Sequence, residues 1–276
     1  MKRPPEPIEA RRRLEAFFEQ LAFSPQRVLL LDQDGALAPL RVERDQAMPY
    51  PALARVLDEI HEAGHTRLVI ISGRYTQDLL PLLGMRRVPE MWGSHGWERR
   101  LADGHTEIGK MEPRALQGLA EADDWVDAMG LEERREVKPG CLALYLRGLP
   151  ERVAQRLRML TLGPWVELAR RYGLDLTEFD GGIELGVPGR SKGNTVRTIM
   201  NELADGAAVA FLGDDRTDEA GFEALAGRGL SALVRPEFRP THAEVWIKPP
   251  EELFAFLHRW QEAASQRVGR SQKARR

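Results

Sequence analysis

The stretch "LLLDQDGALAPL", residues 29–40, places two aspartates one residue apart at the end of a purely aliphatic run. The segment at residues 27–32, RVLLLD, is continuously apolar from Val28 to Leu31 and does not alternate. That pattern is typical of a strand buried on both faces of a parallel sheet. Because an isolated charge is costly inside an apolar core, we expect Asp32 and Asp34 to face a polar crevice where this strand ends.

Two further apolar runs, at residues 66–72 and 207–214, also end in polar or glycine-rich turns. Segments with helical spacing of their apolar residues, at 51–64 and 192–204, precede them. Strands that alternate with helices predict an α/β fold with a doubly wound, Rossmann-like parallel sheet.

The middle of the chain carries antiparallel signals instead. Asp103-Gly104 separates two extended pieces, which is a strong hairpin signal. A helix at about 113–129, two strand-like pieces, a helix from about 150 and a strand pair joined by Gly181-Gly182 follow. We therefore predict a smaller α+β domain inserted at 104–182, between core segments 1–103 and 183–276.

Composition limits the classes of function. The formal net charge is −2, which argues against a protein that coats nucleic acid, and Cys141 is the only cysteine, so no internal disulfide can form. No apolar stretch is long enough to cross a bilayer, and the charged N-terminus lacks the apolar core of a secretory signal. We expect a cytoplasmic monomer or small homo-oligomer with no nucleic-acid or membrane partner, and a disordered, solvated basic end at 265–276.

The carboxyl ends of the predicted strands bring polar and charged side chains together at one edge of the sheet, which is where open parallel sheets bind ligands. Several carboxylates in one crevice need a cation, and Mg²⁺ is the natural one. A serine hydroxyl, a lysine and glycine-rich turns beside such a cluster suit a phosphate group, and an aspartate can attack phosphorus. The residues at these ends are Asp32, Asp34, Ser72, Gly73, Arg74, Gly213, Asp214, Asp215 and Asp218, with Lys192 opening the helix before the third run.

Four motifs resemble, in order and spacing, those of haloacid-dehalogenase-type phosphatases: "DQDGALAPL", "VIISGR", the lysine of "SKG", and "GDDRTDE". More narrowly, "GSHG", "KPGCLALYLRG" and "IELGVPGRSKG" make the chain similar to the trehalose-6-phosphate phosphatase family and its sugar-phosphatase relatives. The predicted insert stands where that family carries its cap domain.

The resemblance implies a role for each matching residue. Asp32 would be the nucleophile and a metal ligand, while Asp34 would act as acid and base and offer its backbone carbonyl to the metal. Ser72 and Lys192 would hold the transferring phosphoryl group. Asp214 would complete the Mg²⁺ site, with Asp218 as direct or indirect support. The implied sugar-binding candidates are Arg74, His95, Lys138, Arg147 and Glu184.

The chain departs from the family pattern at Ala36, Cys141, Tyr145 and Gly186, where threonine or serine, serine, histidine and arginine are usual. These departures leave the catalytic motifs in place but alter the sugar-recognition surface. We expect a Mg²⁺-dependent phosphatase for a sugar phosphate, with trehalose 6-phosphate as the leading substrate. The alternatives are another glycosyl phosphate, such as glucosylglycerol phosphate or a glycosyl-glycerate phosphate, and a non-catalytic regulatory protein that binds sugar phosphates.

Overall fold

The computed structural model describes residues 7–39, 49–179 and 181–273, with side chains from residue 8 to residue 265 within those ranges. It is an α/β fold in which a large mixed sheet carries helices on both faces, as the sequence predicts. In the described part, no helix is both long and apolar enough to span a membrane.

The larger sheet has eight strands in the order β12-β11-β10-β1-β2-β3-β4-β5. The strands from β12 to β3 are parallel, and the β4–β5 hairpin continues the sheet antiparallel. Their bounds are β1 Arg27–Asp32, β2 Arg67–Ile71, β3 Glu90–Gly93, β4 Glu98–Arg100, β5 Thr106–Ile108, β10 Ala208–Gly213, β11 Leu230–Val234 and β12 Val245–Ile247.

Alternate residues of β1 point to opposite faces, and each face is covered by its own apolar layer. Leu29 and Leu31 belong to the layer built with α1, α2 and α8, whereas Val28 and Leu30 belong to the layer built with α6 and α7. This double burial explains why the run is continuously apolar. The helix bounds are α1 Pro7–Phe23, α2 Leu53–Glu62, α3 Thr76–Leu83, α4 Pro113–Ala128, α5 Glu151–Tyr172, α6 Lys192–Asn201, α7 Glu219–Leu225 and α8 Glu251–Lys273.

The inserted unit is a four-stranded antiparallel sheet in the order β6-β7-β9-β8, packed against α4 and α5. Buried side chains from both helices and from the sheet, including Val126, Trp165 and Leu144, form its own apolar core. The strand bounds are β6 Arg135–Lys138, β7 Cys141–Tyr145, β8 Asp175–Phe179 and β9 Gly182–Gly186. We refer to this unit as the cap.

Strand pairing assigns two segments differently from the sequence prediction. β5, expected inside the insert, pairs with β4 in the larger sheet, and β9, expected almost wholly in the core, pairs with β7 and β8 in the smaller one. A hairpin signal identifies two partners but not the sheet that they join. We therefore propose cap boundaries close to residues 109 and 187 in place of 104–182.

The C-terminal end also differs from its prediction. α8 continues through the basic segment as far as Lys273, where the sequence predicts a disordered end, and residues 274–276 lie outside the described residues. Apart from Gly269, this segment contains residues that are compatible with a helix, so α8 is not interrupted.

Candidate active site

The carboxyl ends of the central strands bring the predicted site residues to one edge of the sheet. Asp32 at the end of β1 is in register with Ile71 of β2, and Leu31 is in register with Leu212 of β10. The residues that follow β2 and β10, Ser72 and Asp214, therefore lie beside Asp32. This convergence is the one expected for a parallel sheet.

Three buried carboxylates form a cluster at this edge. Asp32, Asp214 and Asp218 each place one oxygen within 4.8 Å of the others. Lys192, the first residue of α6, donates from Nζ to Oδ1 of Asp32 and to Oδ1 of Asp218, at 2.7 Å in both cases. The single ammonium of Lys192 thus faces three carboxyl groups, whose combined negative charge, when they are ionised, is larger than its own positive charge.

The charge imbalance perturbs the titration of the cluster. Burial and the neighbouring Asp218 raise the pKa of Asp32 to about 7, against the opposing effect of Lys192. Burial and the charge of Asp32 likewise raise the pKa of Asp214 well above its usual range. Oδ1 of Asp214 is buried and has no hydrogen-bond partner among the described residues. An orphaned hard oxygen in a surplus of buried negative charge fits a hard divalent cation.

Asp218 supports the cluster from behind. Its Oδ2 accepts hydrogen bonds from the backbone N–H groups of Asp214 and Asp215, at 2.9 and 3.0 Å. Because its Oδ1 accepts from Lys192, both of its oxygens are engaged, and the residue does not line the crevice. Of the two roles that the sequence left open for Asp218, this geometry favours indirect support.

Asp34 does not join the carboxylate cluster and instead faces Arg74. The Arg74 guanidinium donates from Nε and Nη2 to the two oxygens of Asp34, both at 2.6 Å. Arg74 is 5% exposed and Asp34 is 30% exposed, so the carboxylate lies on the crevice side of the pair. Gly35, the residue after Asp34, has φ 84°, and a Cβ there would lie 1.9 Å from the carboxylate of Asp214. A side chain at this position therefore cannot fit.

Ser72 and His95 are held by the backbone of the turns around them. Ser72 is fully buried, its Oγ accepts from the Arg74 N–H at 3.1 Å, and it does not line the crevice. His95 has a left-handed φ of 54° and lies against Gly73, where a Cβ would come within 2.6 Å of the imidazole. The absence of a side chain at Gly73 therefore allows the ring to reach the crevice.

The cap closes over this edge through Lys138 and Glu184. Lys138 Nζ donates to the Gly73 carbonyl of the core at 2.8 Å and contacts Glu184 Oε2 at 2.7 Å, and Glu184 Oε1 lies 3.2 Å from His95 Nε2. Burial opposes the charge of Glu184, but His95 and Lys138 outweigh it and hold the pKa of Glu184 well below its usual range. These contacts join cap and core across the site.

The crevice between cap and core is open at its mouth, and together with the solvent space there it has a volume of about 750 Å³. Of the predicted residues, all except Ser72 and Asp218 line it. Sequence reasoning missed several other lining residues, because a strand pattern does not show which face will meet the core. The missed lining residues are Thr177, Phe179 and Thr217. Tyr145, named from the sequence only as a departure from the family pattern, and Asp215, for which the motifs gave no clear role, line it too.

The doubly wound sheet, the acidic cluster at its carboxyl edge and the inserted cap are those of a phosphatase, and the fold is shared with a solved phosphatase of the haloacid-dehalogenase superfamily at a TM-score of 0.55 and 17% identity. Within that class, the model of the trehalose-phosphatase family matches residues 30–244. The chain belongs to the trehalose-phosphatase family.

Individual relatives agree with this assignment. The chain is 29% identical over 229 residues to the trehalose-6-phosphate phosphatase of Escherichia coli, an alignment that covers 80% of this chain and 82% of the relative. Among solved structures, the C-terminal domain of trehalose-6-phosphate phosphatase from Candida albicans has the same fold, with a TM-score of 0.71, 21% identity, and coverage of 91% and 96%. The C-terminal domain of a trehalose synthase regulatory protein from the same yeast also has it, with a TM-score of 0.66, 16% identity, and coverage of 88% and 97%.

Proposed function

We propose that the protein hydrolyses the phosphate ester of a sugar phosphate, with trehalose 6-phosphate as the leading substrate. The observation that carries the proposal is the pairing of a buried carboxylate cluster at the strand ends with a cap that closes over it through charged groups. Membership of the trehalose-phosphatase family and the likeness to the E. coli enzyme support the choice of sugar.

In the proposed reaction, an oxygen of Asp32 attacks phosphorus and the bond from phosphorus to the sugar oxygen breaks. Asp34, protonated on the oxygen that turns from Arg74 towards the substrate, gives this proton to the departing sugar oxygen and becomes a carboxylate. Asp34 then takes a proton from water, which attacks the aspartyl-phosphate and releases inorganic phosphate and free Asp32. A carboxylate has about four lone-pair positions, so Asp34 can keep Arg74 on one side and face the substrate on the other.

The remaining core residues neutralise the charge of the transferring phosphoryl group and orient it. Lys192 lies against Asp32 and offsets charge on the transferring group. We propose that backbone N–H groups of the turns after β1 and β2 donate to the oxygens of that group. We propose that Mg²⁺ is held by Asp32, Asp214 and the Asp34 carbonyl. When bound, the ion supplies Lewis-acid neutralisation of the negative charge shared by the acids and the phosphate.

We propose that the cap selects the sugar. Arg147, Lys138, Glu184 and His95 line the crevice, as does Arg74. Glu184 contacts both Lys138 and His95. Arg74 is paired with Asp34, so sugar hydroxyls would join these existing contacts. A closed cap also keeps bulk water from the aspartyl-phosphate until the sugar has left.

The test is release of inorganic phosphate by purified protein with Mg²⁺ and a panel of sugar phosphates. We expect the highest kcat/KM with trehalose 6-phosphate, and loss of turnover in Asp32→Asn, which keeps the shape of the side chain but removes its nucleophilic charge. Preference for glucosylglycerol phosphate or a glycosyl-glycerate phosphate would retain the mechanism and change the substrate.

A non-catalytic sugar-phosphate binder is the second candidate, because the same fold occurs in the Candida regulatory protein and because Ala36 replaces the usual hydroxyl residue. The panel separates the two. If no member releases phosphate while trehalose 6-phosphate binds in calorimetry, the regulatory function is correct and the catalytic one is wrong.

A further inference from the structure

Two arginines outside the family motifs bind the loop that carries Asp214. Arg235 donates from Nη1 to the Asp214 carbonyl at 3.3 Å, whereas Arg239 binds two carbonyls of the loop. Arg239 lies between β11 and β12, and its Nε donates to the backbone carbonyl of Asp214 at 3.0 Å. Its Nη2 donates to the carbonyl of Asp215 at 2.6 Å. A single planar guanidinium therefore fixes two consecutive peptide groups, which a point-like ammonium cannot do in the same way.

The same loop is held from its other side by Asp218, which accepts from the N–H groups of Asp214 and Asp215. The carbonyls of these two residues bind Arg239, and their N–H groups bind Asp218. Side chains thus hold three successive peptide groups, and the one between Asp214 and Asp215 is held at both its carbonyl and its N–H, which sets the direction in which the Asp214 carboxylate leaves the backbone.

The charge of Arg239 is matched by Glu219, the first residue of α7. Nη1 of Arg239 contacts Oε1 of Glu219, which is only 8% exposed. Glu219 is itself held by the Thr241 hydroxyl at 2.9 Å and by the His242 N–H at 2.7 Å. Since the guanidinium has a partner carboxylate, the pair adds little net charge beside the acidic cluster, and its effect on the site is geometric.

We propose that Arg239, anchored by Glu219, is a positioning residue that presets Asp214 for the divalent cation. The inference rests on the proposed function, which places that cation at Asp214. Groups that orient a metal ligand from outside the coordination sphere commonly change metal affinity by about 10- to 100-fold when removed. Arg239 could not be found from the sequence, because it lies in a loop without periodicity, 25 residues after Asp214.

The test is calorimetric titration of the full chain with Mg²⁺ in the absence of substrate. We expect Arg239→Gln to weaken Mg²⁺ binding about 10- to 100-fold. Arg239→Lys keeps the charge opposite Glu219 and so protects folding. We expect it also to weaken Mg²⁺ binding, because one ammonium replaces the guanidinium that binds both carbonyls. In activity assays, both variants should require more Mg²⁺ for half-maximal rate while kcat at saturating Mg²⁺ changes by less than the affinity does.

Arg86→Gln is the matched control. Arg86 also binds a buried carboxylate, that of Asp58, but far from the cluster in the fold, so its loss should leave Mg²⁺ affinity unchanged. If wild type binds Mg²⁺ and folded Arg239→Lys and Arg239→Gln bind it equally well, the positioning role is wrong while the proposed function stands. If wild type binds no Mg²⁺ at all, the proposed cation site fails, and the inference fails with it.

Discussion

Ala36, two residues after the paired acids, is the departure from the family pattern that lies closest to the proposed nucleophile. Its side chain is fully buried and belongs to the apolar layer beneath β1, together with Leu37. A hydroxyl at this position would enter an apolar environment, where it needs a hydrogen-bond partner to avoid a net cost. The alanine therefore suits its packing, and the phosphate site must rely on backbone N–H groups there.

We predict that Ala36→Thr lowers the free energy of unfolding by about 1–3 kcal/mol, the usual cost of overpacking a core. The rate of phosphate release should change by less than about tenfold, because the side chain at position 36 lies in the apolar layer, where an added hydroxyl gains at most an ordinary hydrogen bond of about 0.5–1.5 kcal/mol. Urea unfolding and phosphate release measure the two effects, and Ala36→Ser separates the hydroxyl from the methyl group. Activity that appears only in the threonine variant would mean that the natural chain has lost catalysis.

At the scale of single elements, β8 supplies a wall of the crevice. Thr177 and Phe179 are two residues apart on this strand, so they share a face, and both line the crevice. The Phe179 ring packs edge-on against Tyr145, with ring centroids 5.3 Å apart. Tyr145 donates its hydroxyl to Glu136 at 2.7 Å, which fixes the orientation of the pair.

We predict that Phe179→Ala raises KM for trehalose 6-phosphate by about 5- to 30-fold, a loss of roughly 1–2 kcal/mol of apolar contact. The effect on glucose 6-phosphate should be smaller, because a single ring anchored at its phosphate leaves more of the cap wall uncontacted. The measurement is kcat and KM for both substrates, with Val137→Ala on exposed cap surface as the control. An equal loss for both substrates would remove Phe179 from sugar selection.

The elements that sequence could predict are those whose neighbours impose a simple pattern. β1, β2 and β10 are buried on both faces, so their apolar runs and their terminal acids predict the parallel core and the carboxylate cluster. β5 is exposed along its whole length and joins the sheet only through backbone pairing with β4. The side-chain pattern of β5 does not indicate such pairing, which is why the boundary that we propose for the cap differs from the one predicted from the sequence.

Contacts between distant segments could not be predicted from the sequence for a similar reason. Arg74 stays a predicted sugar ligand, and its pairing with Asp34, 40 residues away in the chain, could not be read from the motif. Ser72 stays a predicted phosphate contact, and its hydroxyl accepts a hydrogen bond from the turn while its own O–H can still donate. Spacing predicts that such residues meet at one edge, while their partners depend on side-chain orientation in the folded chain.

At the scale of the whole molecule, the acidic cluster makes the free energy of unfolding depend on pH and on metal binding. The pKa of Asp32 is raised to about 7 in the folded chain, whereas a carboxyl of an unfolded chain titrates near 3.9. Without metal, and between these two pKa values, the folded state therefore holds a proton that the unfolded state has lost. The stabilising contribution is fully present below about pH 4 and is lost as the pH rises towards about 7.

Mg²⁺ should reverse this dependence, because it binds deprotonated carboxylates and competes with protons. We predict that saturating Mg²⁺ raises the Tm by more at about pH 8 than at about pH 5.5, where bound protons must first leave the cluster. The measurement is thermal unfolding at both pH values, with and without Mg²⁺. Asp214→Asn is the test variant, since it removes one proposed ligand and one of the repelling charges, and it should show a smaller Mg²⁺-dependent rise and a flatter pH dependence. An equal rise in Tm at both pH values in the natural chain would place Mg²⁺ binding outside this cluster.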